Sequence, residues 1–315
     1  MRAIAIDGFG GPEKLRAVEL KRPAPRPGEI LIRVVSAGVN PVDFKIREGK
    51  LAALLPHEFP LIPGWDAAGV VERIGEGATR FRKGDRVWAY ARKPTVQWGC
   101  YAEYVAVPES SAGPMPGRLL YEEAAAVPLA ALTAFQALFD RPGLEAGSRV
   151  LIHAAAGGVG HFAVQLARNA GAEVYGTAGP RNGGFVMELG ARAALDYTSE
   201  DFVDAARRHC PQGFDLVLDA VGGETLERSY GLVRPGGRLV GIVEEPDAAR
   251  AREHGISAES IFVRPDAEQL GILARLIDEK RLEAHVQKIY PLSGAAEAQR
   301  TLAEGHVRGK LVLNL

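Results

Sequence analysis

The chemistry of this chain starts from its glycines. Ala155-Ala156-Gly157-Gly158-Val159-Gly160 is a small-residue turn between an apolar run and a helical pattern. Without a Cβ at Gly157 a diphosphate can come close to the backbone, and Gly160 lets a helix start pack tightly on the preceding strand. The first turn of such a helix offers unpaired N–H groups and a positive dipole end to phosphate oxygens. The spacing points to dinucleotide binding by Gly157, Gly158, Val159 and Gly160. The common fingerprint has one more glycine, where this chain has Ala155. A glycine pattern alone also fits a plain tight turn, so the elements around it decide.

A second feature narrows the cofactor. Thr177-Ala178-Gly179-Pro180-Arg181 closes the next apolar run and contains no acid. NAD sites usually place Asp or Glu there to hold the ribose hydroxyls. Arg181 instead offers a planar fork of donors suited to a 2′-phosphate. Thr177, Gly179 and Arg181 are therefore expected at the adenosine end of NADPH. The alternative is that Arg181 is a solvated loop charge and either cofactor binds.

The surrounding elements supply the required frame. Val150-Leu151-Ile152-His153-Ala154 reads as a buried strand, and Val159, Phe162, Ala163, Leu166, Ala167 and Ala170 follow at helical steps. Gly171 stops that helix, and Glu173 to Thr177 reads as the next parallel strand. Strand, glycine turn, helix and strand make a βαβ unit. Phe214 to Asp219 and Arg238 to Val243 read as further strands, and an alanine-rich helix is expected from Glu122 through Ala137. This alternation predicts an α/β fold with a doubly wound parallel sheet of the Rossmann type.

Residues 1 to about 122 have a different texture. Glu29 to Val35, Ala68 to Ile74 and Arg86 to Tyr90 are short β runs with turn signals between them, which predicts a β-rich barrel. In the tail, Glu268 to Lys280 and Ala295 to Leu302 read as helices, and Val286 to Tyr290 and Leu311 to Leu313 as strands. Spacing alone leaves open whether the tail extends the nucleotide domain or returns to the barrel.

Composition excludes several classes. Lys and Arg number 38 against 39 Asp and Glu, a net charge of −1 that favours neither nucleic acid nor an anionic membrane. Cys100 and Cys210 are too few for a disulfide framework or a cysteine zinc site, and a reducing cytoplasm fits. Met1 to Ile6 reads as a strand rather than a signal peptide. The apolar stretch Ala124 to Phe139 is shorter than a membrane span and contains Pro128.

Motifs along nearly the full length carry a resemblance. They are Ala37-Gly38-Val39-Asn40-Pro41-Val42-Asp43, Pro63-Gly64-Trp65-Asp66-Ala67-Ala68-Gly69, Gly84-Asp85-Arg86-Val87 and Tyr101-Ala102-Glu103-Tyr104. Val127-Pro128-Leu129-Ala130, the Ala154 to Gly160 turn and Arg308-Gly309-Lys310 complete the order. In these the chain resembles the zinc-independent quinone oxidoreductase branch of the medium-chain dehydrogenase/reductase superfamily. The resemblance implies a GroES-like catalytic domain at 1–122, a Rossmann NADPH-binding domain at 123–265 and a segment at 266–315 returning to the catalytic domain. It also implies NADPH in the cleft between the domains and a homo-oligomer, a dimer first. The implied reaction is hydride transfer to a quinone. The rivals are an alkenal or enone reductase and, from another class, a non-catalytic NADPH-binding scaffold or sensor.

The resemblance further suggests roles. Asn40 would hydrogen-bond to substrate or to the nicotinamide end; otherwise it is an Asn-Pro turn residue. Asp43 belongs to the same motif, or is a helix N-terminal acid. Lys45 would donate to a ribose or substrate oxygen, or is a surface lysine. Trp65 would wall the cleft and Thr133 would lie near the nicotinamide; each is otherwise core. Tyr197 would meet the adenosine end, while Val221, Ile242 and Val243 end strands where ligands sit. Phe262 and Val263 would meet the nicotinamide amide, and Lys310 is a further cofactor candidate. Zinc relatives carry Cys in place of Asn40 and a His-Glu pair in place of Trp65-Asp66, so no metal is expected. Ile46 and Arg47 stand where several quinone reductases have a tyrosine, so no proton donor is evident; nothing in the sequence selects Tyr90 or Tyr101.

Overall fold

Short β runs broken by Gly and Pro pair, in the computed structural model, into a seven-stranded sheet. The structure describes residues 1–141 and 144–315. These fall into two units, Met1–Leu132 with Arg264–Leu315, and Thr133–Val263.

In the first unit the strand Glu29–Val39 is the axis. Lys310–Asn314 pairs with it on one side and Asp66–Ile74 on the other, both antiparallel, and Tyr104–Pro108 also pairs along it. Val286–Pro291 extends the sheet beyond Lys310–Asn314, and Arg86–Tyr90 and Ala112–Pro114 extend the opposite side. Alternating apolar residues such as Ile30, Ile32, Val71, Val87, Val105, Leu311 and Leu313 close the core. The tail therefore belongs to this unit.

One expected helix is two. Tyr121–Ala125 and Pro128–Phe139 replace the continuous helix from Glu122 to Ala137. Pro128 has no N–H to donate, and its ring would clash with the carbonyl four residues earlier. Tyr121–Ala125 packs on Glu29–Val39 and Asp66–Ile74, so the first unit runs on to Leu132 instead of ending at 122.

The second unit is a six-stranded parallel sheet. In space its order is Ala193–Asp196, Glu173–Ala178, Arg149–Ile152, Phe214–Asp219, Val233–Gly241 and Ser257–Ser260. The first strand in sequence lies in the middle, and the chain winds outward in both directions. This is the doubly wound Rossmann arrangement, with its switch point between Arg149–Ile152 and Phe214–Asp219. The helix Gly160–Asn169 follows the first strand. No helix among the described residues is long and apolar enough to cross a membrane.

Candidate active site

Strand register assembles a polar cluster in the first unit. Gly38 pairs with Asp66 and Val39 with Leu311, so Asn40, one residue on, comes level with Asp66 and Lys310. Pro41 at the first helical position turns the chain there into the helix Pro41–Arg47. Asn40 is 1% exposed. Its Nδ2 donates to Asp66 Oδ2 at 2.8 Å, and its Oδ1 accepts from Lys310 Nζ. A carboxylate on one side and an ammonium on the other fix the amide in one orientation. The Asn40 side chain is thus engaged across the sheet and does not cap its own helix.

Asp43 completes the cluster. Its Oδ2 accepts from the Asn40 N–H at 2.8 Å and from the Tyr101 hydroxyl at 2.9 Å. Its Oδ1 is buried and has no hydrogen-bond partner among the described residues. Burial pushes the Asp43 carboxyl up to about 7, against the pull of those two donors. Burial likewise raises Asp66 to about 6, opposed by Lys310, by Asn40 and by the Leu129 N–H at 2.8 Å on its Oδ1. Lys310 Nζ also donates to the Val39 carbonyl at 3.1 Å, and burial holds its ammonium below the usual lysine range. Gly64, at φ +92°, makes the Tyr101 position possible, since a Cβ there would lie 2.3 Å from the ring.

Other candidates of this unit stand apart from that network. Trp65 is buried edge-on to Tyr90, with ring centroids 6.1 Å apart, as a core aromatic would be. Lys45 is half-buried and makes no side-chain hydrogen bond or ion pair among the described residues. Arg47 is buried and donates to Gln299 Oε1, Glu48 Oε1 and the Gly10 carbonyl.

In the second unit the glycine turn follows the central strand, at the switch point. Gly157, Gly158 and Val159 keep part of their surface accessible. A Cβ on Gly160 would lie 2.2 Å from the Ala154 carbonyl oxygen, so only glycine lets the helix start this close to the strand. In folds of this kind the backbone N–H groups of such a turn are where a diphosphate binds. Tyr197, Val221, Val243 and Phe262 follow four strands of the sheet at their carboxyl ends and are 49%, 48%, 46% and 57% exposed. In a fold of this kind ligands bind outside the carboxyl ends of the strands. Ile242 and Val263 lie beside them and are more buried. Gly179 is close to the Tyr197 hydroxyl, and Arg181 is exposed in the following turn. Thr177 is 4% exposed, and its hydroxyl oxygen accepts the Ala154 N–H. Thr133 is buried in Pro128–Phe139. Asp219, fully buried, holds the Val221 and Gly222 N–H groups at 3.2 and 2.8 Å.

The structure thus joins Asn40, Asp43 and Lys310, and it adds Asp66 and Tyr101 to them. Asp66 was visible only as a motif residue, because its partner lies 26 positions away and meets it through sheet pairing. Lys310, expected at the cofactor, points its ammonium into the Asn40 cluster.

A zinc ion does not fit here. The residues at the relevant place are an amide, a carboxylate and an ammonium, and Lys310 already supplies the positive charge beside Asp66. Among the described residues no group of three or more His, Cys, Asp or Glu is placed to hold a metal.

Comparison with known proteins agrees with this architecture. Residues 26–117 match the alcohol dehydrogenase GroES-like domain, and residues 189–313 match a family described as zinc-binding dehydrogenase. The chain is 34% identical to a chloroplastic quinone-oxidoreductase homolog of Spinacia oleracea, over 99% of this chain and 98% of that one. Among solved structures, an NAD-dependent alcohol dehydrogenase has a TM-score of 0.91 at 32% identity, covering 100% of both chains. The Escherichia coli quinone oxidoreductase complexed with NADPH has a TM-score of 0.89 at 28% identity, again covering 100% of both. Barrel, doubly wound sheet and full-length likeness agree: the chain is an oxidoreductase of the zinc-independent quinone oxidoreductase branch of the medium-chain dehydrogenase/reductase superfamily.

Proposed function

We propose that this enzyme is an NADPH-dependent reductase of quinones that works without a metal ion. The observation that carries the cofactor reading is the Gly157–Gly160 turn at the switch point, followed by Arg181 at the end of a strand that offers no carboxylate. The relatives named as quinone oxidoreductases support the substrate class. NADPH, when bound, supplies the hydride.

The chain's own residues divide the remaining work. The Gly157–Gly160 backbone takes the diphosphate, Arg181 the 2′-phosphate, and Gly179 with Tyr197 the adenosine end. Val221, Ile242, Val243, Phe262 and Val263 exclude water along the edge of the sheet. In the first unit, Asn40 uses one Nδ2 hydrogen on Asp66, and the second is the donor assigned to a substrate oxygen. Lys310 adds a fixed positive charge behind that amide, which favours negative charge developing on the oxygen. Burial raises the Asp43 carboxyl to about 7, so it binds a proton more readily than an ordinary aspartate, while Lys310 faces Asp66 across Asn40.

The test is a fluorescence titration of wild type and Arg181→Glu with NADPH and with NADH. Wild type should prefer NADPH, and the variant should lose about 1.5–3 kcal/mol of that preference. Equal binding of both cofactors, unchanged by the substitution, refutes the phosphate assignment. Product analysis on quinones and enals then separates hydroquinone formation from a saturated carbonyl, the mark of an enone reductase. Bound NADPH with no oxidation by either panel would leave only a scaffold.

A further inference from the structure

His153 follows the central strand of the second unit and has no part in the function just described. It is fully buried, with Nε2 3.0 Å from Ser229 Oγ, Nδ1 3.2 Å from Thr177 Oγ1 and the Phe202 ring edge-on at 5.1 Å. The Ser229 hydroxyl donates to the Thr225 carbonyl at 2.6 Å, so its oxygen is left to accept, and Nε2 carries the imidazole hydrogen. Nδ1 is then an acceptor for the Thr177 hydroxyl. The Thr177 oxygen in turn accepts the Ala154 N–H at 3.2 Å. Burial pushes the imidazole down to about 3, so it stays neutral, with one donor and one acceptor nitrogen. Every donor in this chain of bonds has an acceptor.

The chain of bonds ends on a strained residue. Ala154 has φ +51°, a left-handed conformation that a Cβ disfavours. Its carbonyl is the hub of the glycine turn: the Gly157 N–H donates to it at 2.9 Å, and Gly160 passes against it. We propose that His153 is a positioning residue for the dinucleotide turn: through Thr177 it holds Ala154 left-handed and so fixes the Gly157–Gly160 backbone for a nucleotide diphosphate. This rests on the reading of that turn as a dinucleotide site. A histidine that merely filled the core would act on packing and not through the Ala154 backbone.

The experiment uses the full chain and NADPH as the probe, with binding followed by fluorescence. His153→Ala should weaken NADPH binding by about tenfold, the scale of a lost left-handed restraint. Adding Ala154→Gly should restore affinity to within about threefold of wild type, because glycine adopts that conformation without the Cβ penalty. Thr177→Val, close in shape, cuts the same chain one link later. It should cost the same alone and add nothing to His153→Ala. If His153→Ala does not fold, Thr177→Val with and without Ala154→Gly carries the same test. Unchanged binding in the single variants, additive losses, or no rescue by glycine would each overturn the positioning role while leaving the dinucleotide reading intact. Wild type that binds neither NADPH nor NADH removes both.

Discussion

The two polar sites of this molecule are built in opposite ways. In the first unit, side chains meet side chains: Asn40, Asp43, Asp66, Tyr101 and Lys310 form a water-excluded cluster that carries charge. In the second, the glycine turn is backbone and missing Cβ atoms, on the sheet end that carries exposed Tyr197, Val221, Val243 and Phe262, with a neutral His153 behind it. The first kind of site is an electrostatic device and is sensitive to every proton and partner. The second is a shape and is sensitive to volume. A buried charge without its partner costs more than a misplaced methyl group, so the two should respond to substitution on different scales.

The largest effect should come from Lys310→Met. It leaves Asp66 buried without its cation, which should cost about 3–5 kcal/mol in chemical denaturation. Adding Asp66→Asn should recover a large part, since the uncompensated charge goes too. A loss no greater than that of an ordinary core substitution would show that the cluster is hydrated and the contrast false.

Gly160→Ala tests the other side. Its Cβ would press on the Ala154 carbonyl, which is backbone and has little room to give. Stability should fall by about 1–3 kcal/mol, with NADPH affinity falling as well and no change in pH dependence.

The pH profile sharpens the comparison further. The folded value of Asp43, about 7, lies above its ordinary 3.8, so the folded state holds the proton more tightly. For this group, stability is greatest at low pH and is lost as the pH rises from about 4 toward 7, by at most about 1.4 kcal/mol per pH unit. Asp66, raised to about 6, adds to the same trend earlier. Urea midpoints between pH 6 and 7 should therefore fall in wild type and level off in Asp43→Asn. A flat wild-type profile would mean that Asp43 is ionised throughout. Smallest of all in denaturation should be Lys45→Ala, within about 0.5 kcal/mol, because Lys45 makes no side-chain hydrogen bond or ion pair among the described residues.

What could be read from the sequence divides along the same line. The strand, turn and helix from Arg149 to Asn169 are local, and apolar period plus glycine spacing locate them without any knowledge of the rest. The edge strand Ser257–Ser260 carries almost no apolar signal, and nothing in Ser-Ala-Glu-Ser marks it. Helical period ran straight through Pro128, where missing donor and ring sterics made a break. In the first cluster, Asn40 and Asp43 were visible through their motif. Their bonds to Asp66, Tyr101 and Lys310 depend on strand register between distant segments, which a linear pattern does not contain. Arg47, noted only as the wrong residue for a proton donor, is a buried anchor to Gln299.

The bond between Asn40 and Lys310 spans 270 positions, with the whole second unit lying between them in the chain. A ribosome adding about 5–20 residues per second makes Asn40 and Asp66 many seconds before their cation exists. Until then the strand Glu29–Val39 has an open edge where Lys310–Asn314 will later lie. The nucleotide unit, contiguous in the chain, has no such wait. During synthesis the cofactor half can mature while the charged half is still waiting for its last strand.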